Sequence, residues 1–90
     1  MVCKRIIIRG EVQGVYFRAA TKEKAEELGV EGEVRNLPDG SVEVLVSGAE
    51  EKVAALIRWC HDGPPRAEVK EVSVSDLPFT RFEGFRVVRR

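Results

Sequence analysis

The sequence predicts an α+β sandwich: an antiparallel sheet with two helices on one face. Three observations carry this expectation. Apolar and polar residues alternate along 30–36 and 41–46. Apolar residues recur at helical spacing along 17–28 and 53–60. The segments follow one another as strand, helix, strand, strand, helix, strand, with a further short strand at the end. Ninety residues, 43% hydrophobic and 33% charged, suit one globular domain over 1–90.

Each element has its own signal. The β-branched run Ile6, Ile7 and Ile8 makes 3–10 a strand ending at Gly10. Residues 18–28 hold no Gly or Pro; Phe17, Thr21, Ala25 and Leu28 fall near one face, and Gly29 stops the helix. In 30–36, Val30, Gly32 and Val34 face one way, and Glu31, Glu33 and Arg35 the other, toward solvent. Leu37-Pro38-Asp39-Gly40 is a turn: Pro38 presets φ, and Gly40 takes a positive φ at low cost. Val42, Val44 and Val46 continue as the second arm of a hairpin. Ser47 with Glu50 fits a capping box. Val53, Leu56, Ile57 and Cys60 then form an amphipathic stripe that Gly63-Pro64-Pro65 ends. Along 67–75 the apolar phase shifts between Val69 and Val72, which either a bulge or an imprecise strand boundary explains. Phe85, Val87 and Val88 mark the short last strand. This order, βαββαβ plus a strand, is the ferredoxin-like arrangement, which by itself is compatible with many activities.

Composition narrows those activities. Fifteen Lys and Arg balance fifteen Asp and Glu, so the chain lacks the basic excess of a protein that coats nucleic acid or an anionic membrane. Strands one and three offer Ile6, Ile7, Ile8, Val42, Val44 and Val46 where a single-strand RNA binder would present aromatics for stacking. No aliphatic run exceeds five residues, far short of a signal core or a membrane span. Two Cys in 90 residues are not a disulfide framework, and a Cys3–Cys60 bridge stays open. The expectation is a cytoplasmic monomer that binds neither nucleic acid nor membrane. Cys3 has no His or Cys at metal spacing, so no metal site is read. Cys60 and Trp59 are assigned to packing, and His61 to the end of the second helix. Arg66, Arg81, Arg86, Arg89 and Arg90 are read mostly as solvated surface.

One segment stands out. Gly10-Glu11-Val12-Gln13-Gly14-Val15-Tyr16-Phe17-Arg18 joins the first strand to the first helix. Two glycines allow a sharp turn, and a loop entering a helix N-terminus gathers N–H donors where the helix dipole is positive. Arg18 adds a planar cationic fork suited to phosphate or carboxylate. On spacing alone, a tight turn beside a surface arginine explains the segment equally well, and no Gly-Lys-Ser/Thr follows to make it a Walker loop.

Ile8 to Arg18 closely resembles the first signature of the acylphosphatase family. Gly32-Glu33-Val34-Arg35-Asn36-Leu37-Pro38-Asp39-Gly40-Ser41-Val42, with Gly48 beyond, resembles the second. The similarity spans essentially the whole chain. Glu33 departs from it, standing where the family usually has an aromatic residue, and Tyr16 stands where many members have Gly. The resemblance implies hydrolysis of the carboxyl–phosphate bond of small acyl phosphates without metal or cofactor. It implies that Arg18 and the backbone N–H groups of Gln13, Gly14, Val15, Tyr16, Phe17 and Arg18 hold the phosphoryl oxygens, and that Asn36 positions the attacking water. A phosphate sensor without turnover, and the similar domain that opens larger carbamoyl-transfer proteins, are the competing readings. Asn36 also has a plain alternative, satisfying the turn before Pro38.

Overall fold

The computed structural model describes residues 1–89, so Arg90 lies outside the described residues. Its elements are β1 (Val2–Glu11), α1 (Phe17–Leu28), β2 (Glu31–Asn36), β3 (Val42–Gly48), α2 (Glu50–Cys60), β4 (Glu68–Asp76) and β5 (Phe85–Val88). They match the predicted order within three residues at each boundary. The five strands form one sheet in the order β4-β1-β3-β2-β5.

The alternation read from the sequence decides which face is covered. Ile6, Ile8, Val34, Val42, Val44 and Val46 share one face of the sheet. They are fully buried with Phe17 and Ala25 of α1 and Val53, Leu56 and Cys60 of α2, so both helices cover that face. Removing this apolar area from water is the main drive for closing the layers. Gly29 ends α1 as expected, its N–H reaching the Glu26 carbonyl at 3.2 Å.

The bulge is where the apolar phase placed it. Arg9 faces Glu71 while Gly10 faces Val69, so Lys70 is the extra residue on β4. The insertion brings Val69 onto the same face as Val72 and Val74. Gly10 is required there: its φ is 134°, and a Cβ would sit 2.2 Å from the Glu68 carbonyl oxygen. The bulge thereby fixes how the chain leaves β1 toward the Gln13–Arg18 segment.

Two expectations change. The sheet is mostly antiparallel, but β5 pairs parallel with β2, Gly32 facing Phe85 and Arg35 facing Val88. The chain crosses from the β4 edge to the opposite edge and enters β5 in the direction of β2. Ser47 does not cap α2. Strand pairing with Cys3 and Glu31 holds Ser47 inside β3, and the N-cap is Ala49, without a side-chain bond. Glu50 and Glu51 still place negative charge in the first turn, where the helix dipole favours it.

The open face holds one buried charge that the alternation pattern left on the solvent side. Glu43 is 4% exposed. Its two carboxylate oxygens accept from Arg5 Nε and Arg35 Nε, each at 2.7 Å. These pairs tie the three central strands together on the face the helices leave open.

Candidate active site

The site lies where β1 ends, α1 begins and β2 turns into β3. Val12 and Phe17, 1% and 2% exposed, anchor both ends of the connecting loop in the core. Phe17 also meets Trp59 edge to face, with centroids 5.6 Å apart. Between these anchors Gln13, Gly14 and Tyr16 are exposed. Gly14 and Tyr16 both adopt left-handed backbone, with φ of 75° and 71°. Alternation of this kind turns successive N–H groups toward one concave side.

These donors have no acceptor among the described residues. Tyr16 occupies the N-cap of α1 without a side-chain cap bond. The first N–H in this stretch with a backbone acceptor is Ala20, bonded to the Tyr16 carbonyl at 3.1 Å. The N-terminus of α1 thus presents unsatisfied donors and the positive end of its dipole to one place.

A second connection fixes this loop against the hairpin turn. The Gln13 side-chain amide donates to the Leu37 carbonyl at 2.8 Å and the Ser41 carbonyl at 2.9 Å. The turn is closed by Leu37 N–H to the Ser41 carbonyl and Gly40 N–H to the Leu37 carbonyl. Asp39 accepts from both the hydroxyl and the N–H of Ser41, which hold its carboxyl below the ordinary aspartate value. Asn36 is therefore not the residue that satisfies this turn. It is the last residue of β2, on the same face as Val34, and its side chain makes no hydrogen bond among the described residues.

Arg18 and Asn36 line one cleft of about 230 Å³, together with Gly14, Tyr16 and Phe17 of the loop. Gln13 and Val15 do not line it: Gln13 staples the turn, and Val15 is half-buried against the core. The cleft has one further member that sequence reasoning assigned to surface, Arg89, which follows β5. The parallel pairing of β5 with β2 carries Arg89 to the end of the sheet where Asn36 sits. Neither arginine forms an ion pair among the described residues, although Arg5, Arg35 and Arg86 do. Among the described residues, no carboxylate lines the cleft. It therefore offers cations, N–H donors and one free amide, a donor set for an anion rather than for a metal ion.

The residues set aside behave as expected. His61 follows α2, with Nδ1 3.0 Å from the Ile57 carbonyl. Cys3 and Cys60 are both free and buried, one on the open side of the sheet and the other on α2. Burial pushes the Cys60 thiol up to about 12. Glu33 lies outside the Arg18 cleft, its carboxylate 3.9 Å from Arg86.

Comparison with known proteins bears on this anion cleft. The Acylphosphatase family model matches residues 4–87, which include both the loop and Asn36. An acylphosphatase of Marinobacter nauticus is 52% identical over 82 residues, covering 90% of this chain and 89% of that protein. The acylphosphatase structure from Coxiella burnetii superposes with a TM-score of 0.93 at 37% identity, covering 97% of this chain and 92% of that one. That from Bacillus subtilis gives 0.94 at 32% identity, covering 98% and 99%. With matches of this extent, the chain belongs to the acylphosphatase family, hydrolases that act on acyl phosphates.

Proposed function

We propose that this protein cleaves small acyl phosphates to carboxylate and inorganic phosphate without a metal. Arg18 and the backbone N–H groups of the Gln13 to Arg18 loop, of which Gly14, Tyr16, Phe17 and Arg18 line the cleft, hold the phosphoryl oxygens, and Asn36 holds the water. The observation that carries this reading is that Arg18 and Asn36 line one cleft while neither side chain has a partner among the described residues. A loose phosphoryl-transfer transition state needs positioning and charge stabilisation more than covalent chemistry. The arginine fork and the loop donors supply both.

Asn36 accepts from the water through its carbonyl, which an amide can do while its N–H groups donate elsewhere. The water oxygen attacks phosphorus as the bond from phosphorus to the carboxylate oxygen breaks. The leaving carboxylate has a conjugate acid with pKa about 4, so it departs without a general acid. The water proton passes to a phosphate oxygen of the substrate. Arg89 adds positive potential at the cleft mouth without being required for the geometry.

The direct test is release of phosphate from benzoyl phosphate in the presence of EDTA. Turnover is expected; absence of turnover by the folded protein would sink the reading. Gln13→Ala gives a second check. Losing two hydrogen bonds to carbonyls is expected to lower stability by about 1–2 kcal/mol in urea unfolding. Because the loop is then untied from the turn that carries Asn36, KM should rise as well. The same reading makes the chain a single-domain cytoplasmic monomer over 1–90, without nucleic-acid or membrane partners. Its zero formal charge supports the absence of a nucleic-acid partner, as does an open face on which β1 and β3 carry Arg5, Ile7, Glu43 and Leu45 rather than stacking aromatics.

A further inference from the structure

A second groove, of about 430 Å³, runs from the far side of Tyr16 along α1 to the end of α2. Tyr16 is the residue it shares with the Arg18 cleft. Its other walls include Ala20 of α1, Trp59 of α2 and the Pro64-Pro65 turn. Asn36 and Arg89 line the cleft but not the groove.

We infer that this groove is the subsite for the acyl group, and that it takes uncharged apolar acyl groups, aromatic ones above all. The inference rests on the placement of phosphate and water proposed above. In phosphoryl transfer the attacking and leaving oxygens lie roughly in line across phosphorus. With the water held by Asn36, the acyl oxygen leaves on the side away from Asn36. The groove borders the cleft at Tyr16, and neither Asn36 nor Arg89 lines it, so an acyl group leaving away from Asn36 is received there across the Tyr16 ring.

The chemistry of the walls sets the class. Tyr16 is 68% exposed, with its ring free to cover a ligand. Its left-handed backbone is costly for a residue with a side chain, and it persists because Phe17 is locked into the core beside it. Trp59 and the two prolines give rigid apolar surface. The one cation of the groove, Lys24, is bound to Glu27 at 2.8 Å. Glu23, also lining it, is exposed and has no ion partner among the described residues. A distal carboxylate or phosphate on the acyl chain would meet that negative charge with no free cation to answer it.

The test compares kcat/KM for benzoyl phosphate and acetyl phosphate, which share the phosphoryl group and differ in the acyl group. Taking the ratio of the two cancels changes in phosphate handling. Tyr16→Gly removes the shared wall and relieves the left-handed strain. Ala20→Phe fills the groove from a position outside the phosphate loop. Each is expected to lower the benzoyl-to-acetyl ratio about fivefold relative to the parent protein, the effect of one aromatic contact. Thermal melting identifies the folded variants, and a fallen ratio in a folded one supports the subsite. A ratio unchanged or raised in both overturns it, and continued acetyl phosphate hydrolysis then leaves the roles of Arg18 and Asn36 standing. If the parent protein hydrolyses neither compound, the roles of Arg18 and Asn36 fall, and the subsite with them.

Discussion

Arg18→Ala is expected to lower kcat/KM for benzoyl phosphate by about a thousandfold while leaving the fold intact. The size follows from the job. An arginine aimed at transferring phosphoryl oxygens is worth roughly 10³–10⁵ in rate where it has been removed in other phosphoryl-transfer enzymes. Here the backbone donors of the loop would retain part of the grip, so the lower end applies. Stability should change little. The Arg18 side chain makes no ion pair among the described residues and lies outside the stripe that Phe17, Thr21 and Ala25 bury. Circular dichroism and urea unfolding check the fold, and competition by inorganic phosphate checks affinity. Phosphate inhibition should weaken in parallel with activity. An Arg18→Ala protein that still turns over at the parent rate would remove the residue from the mechanism.

Asn36→Ala is expected to separate from it. Its loss should fall on kcat, by about a hundredfold, the lower range for removing one placed donor from a transition state. Inorganic phosphate should still inhibit at the parent concentration, because Arg18 and the loop remain. The protein should fold normally, since the turn after Asn36 is held by Gln13, Asp39 and Ser41 rather than by the Asn36 side chain. Equal loss of phosphate affinity in both variants would mean that Asn36 grips the phosphoryl group instead of the water. A pair of double measurements, kcat and phosphate inhibition for each variant, distinguishes these outcomes.

Much of this geometry was legible in the residues, and the remainder has identifiable causes. Alternation gave Val42, Val44 and Val46 their face because the side-chain period of a strand is independent of what pairs with it. The bulge was legible for the same reason: a phase change from Val69 to Val72 cannot occur on one face without an extra residue. Ser47 misled because a capping box is a local pattern, whereas Ser47 is claimed by β1 and β2 on either side of β3. Glu43 occupies a position that alternation points outward. Only the register that sets it between Arg5 and Arg35 makes it buried, and register is a property of three strands together. Arg89 was missed on similar grounds. Its place at the cleft depends on β5 running parallel to β2, and no local signal near Phe85 specifies that direction. The matched signatures pointed to the loop and Asn36, but not to the two hydrogen bonds by which Gln13 joins them.

The strand order has a consequence in time. Of the four neighbouring pairs in β4-β1-β3-β2-β5, only β2 and β3 are successive in the chain. β1 must find β3 across the whole first helix and β4 across nearly the entire sequence, as when Lys4 meets Asp76. β5 must return past the sheet to reach β2. Each of these closures gives up chain entropy before its contacts form. Refolding of so small a protein should consequently be unhurried, on the order of milliseconds to seconds, as for other folds dominated by distant pairings. The β2–β3 hairpin, which carries Asn36, can close early. The cradle that faces it cannot be complete until β1 and α1 have docked.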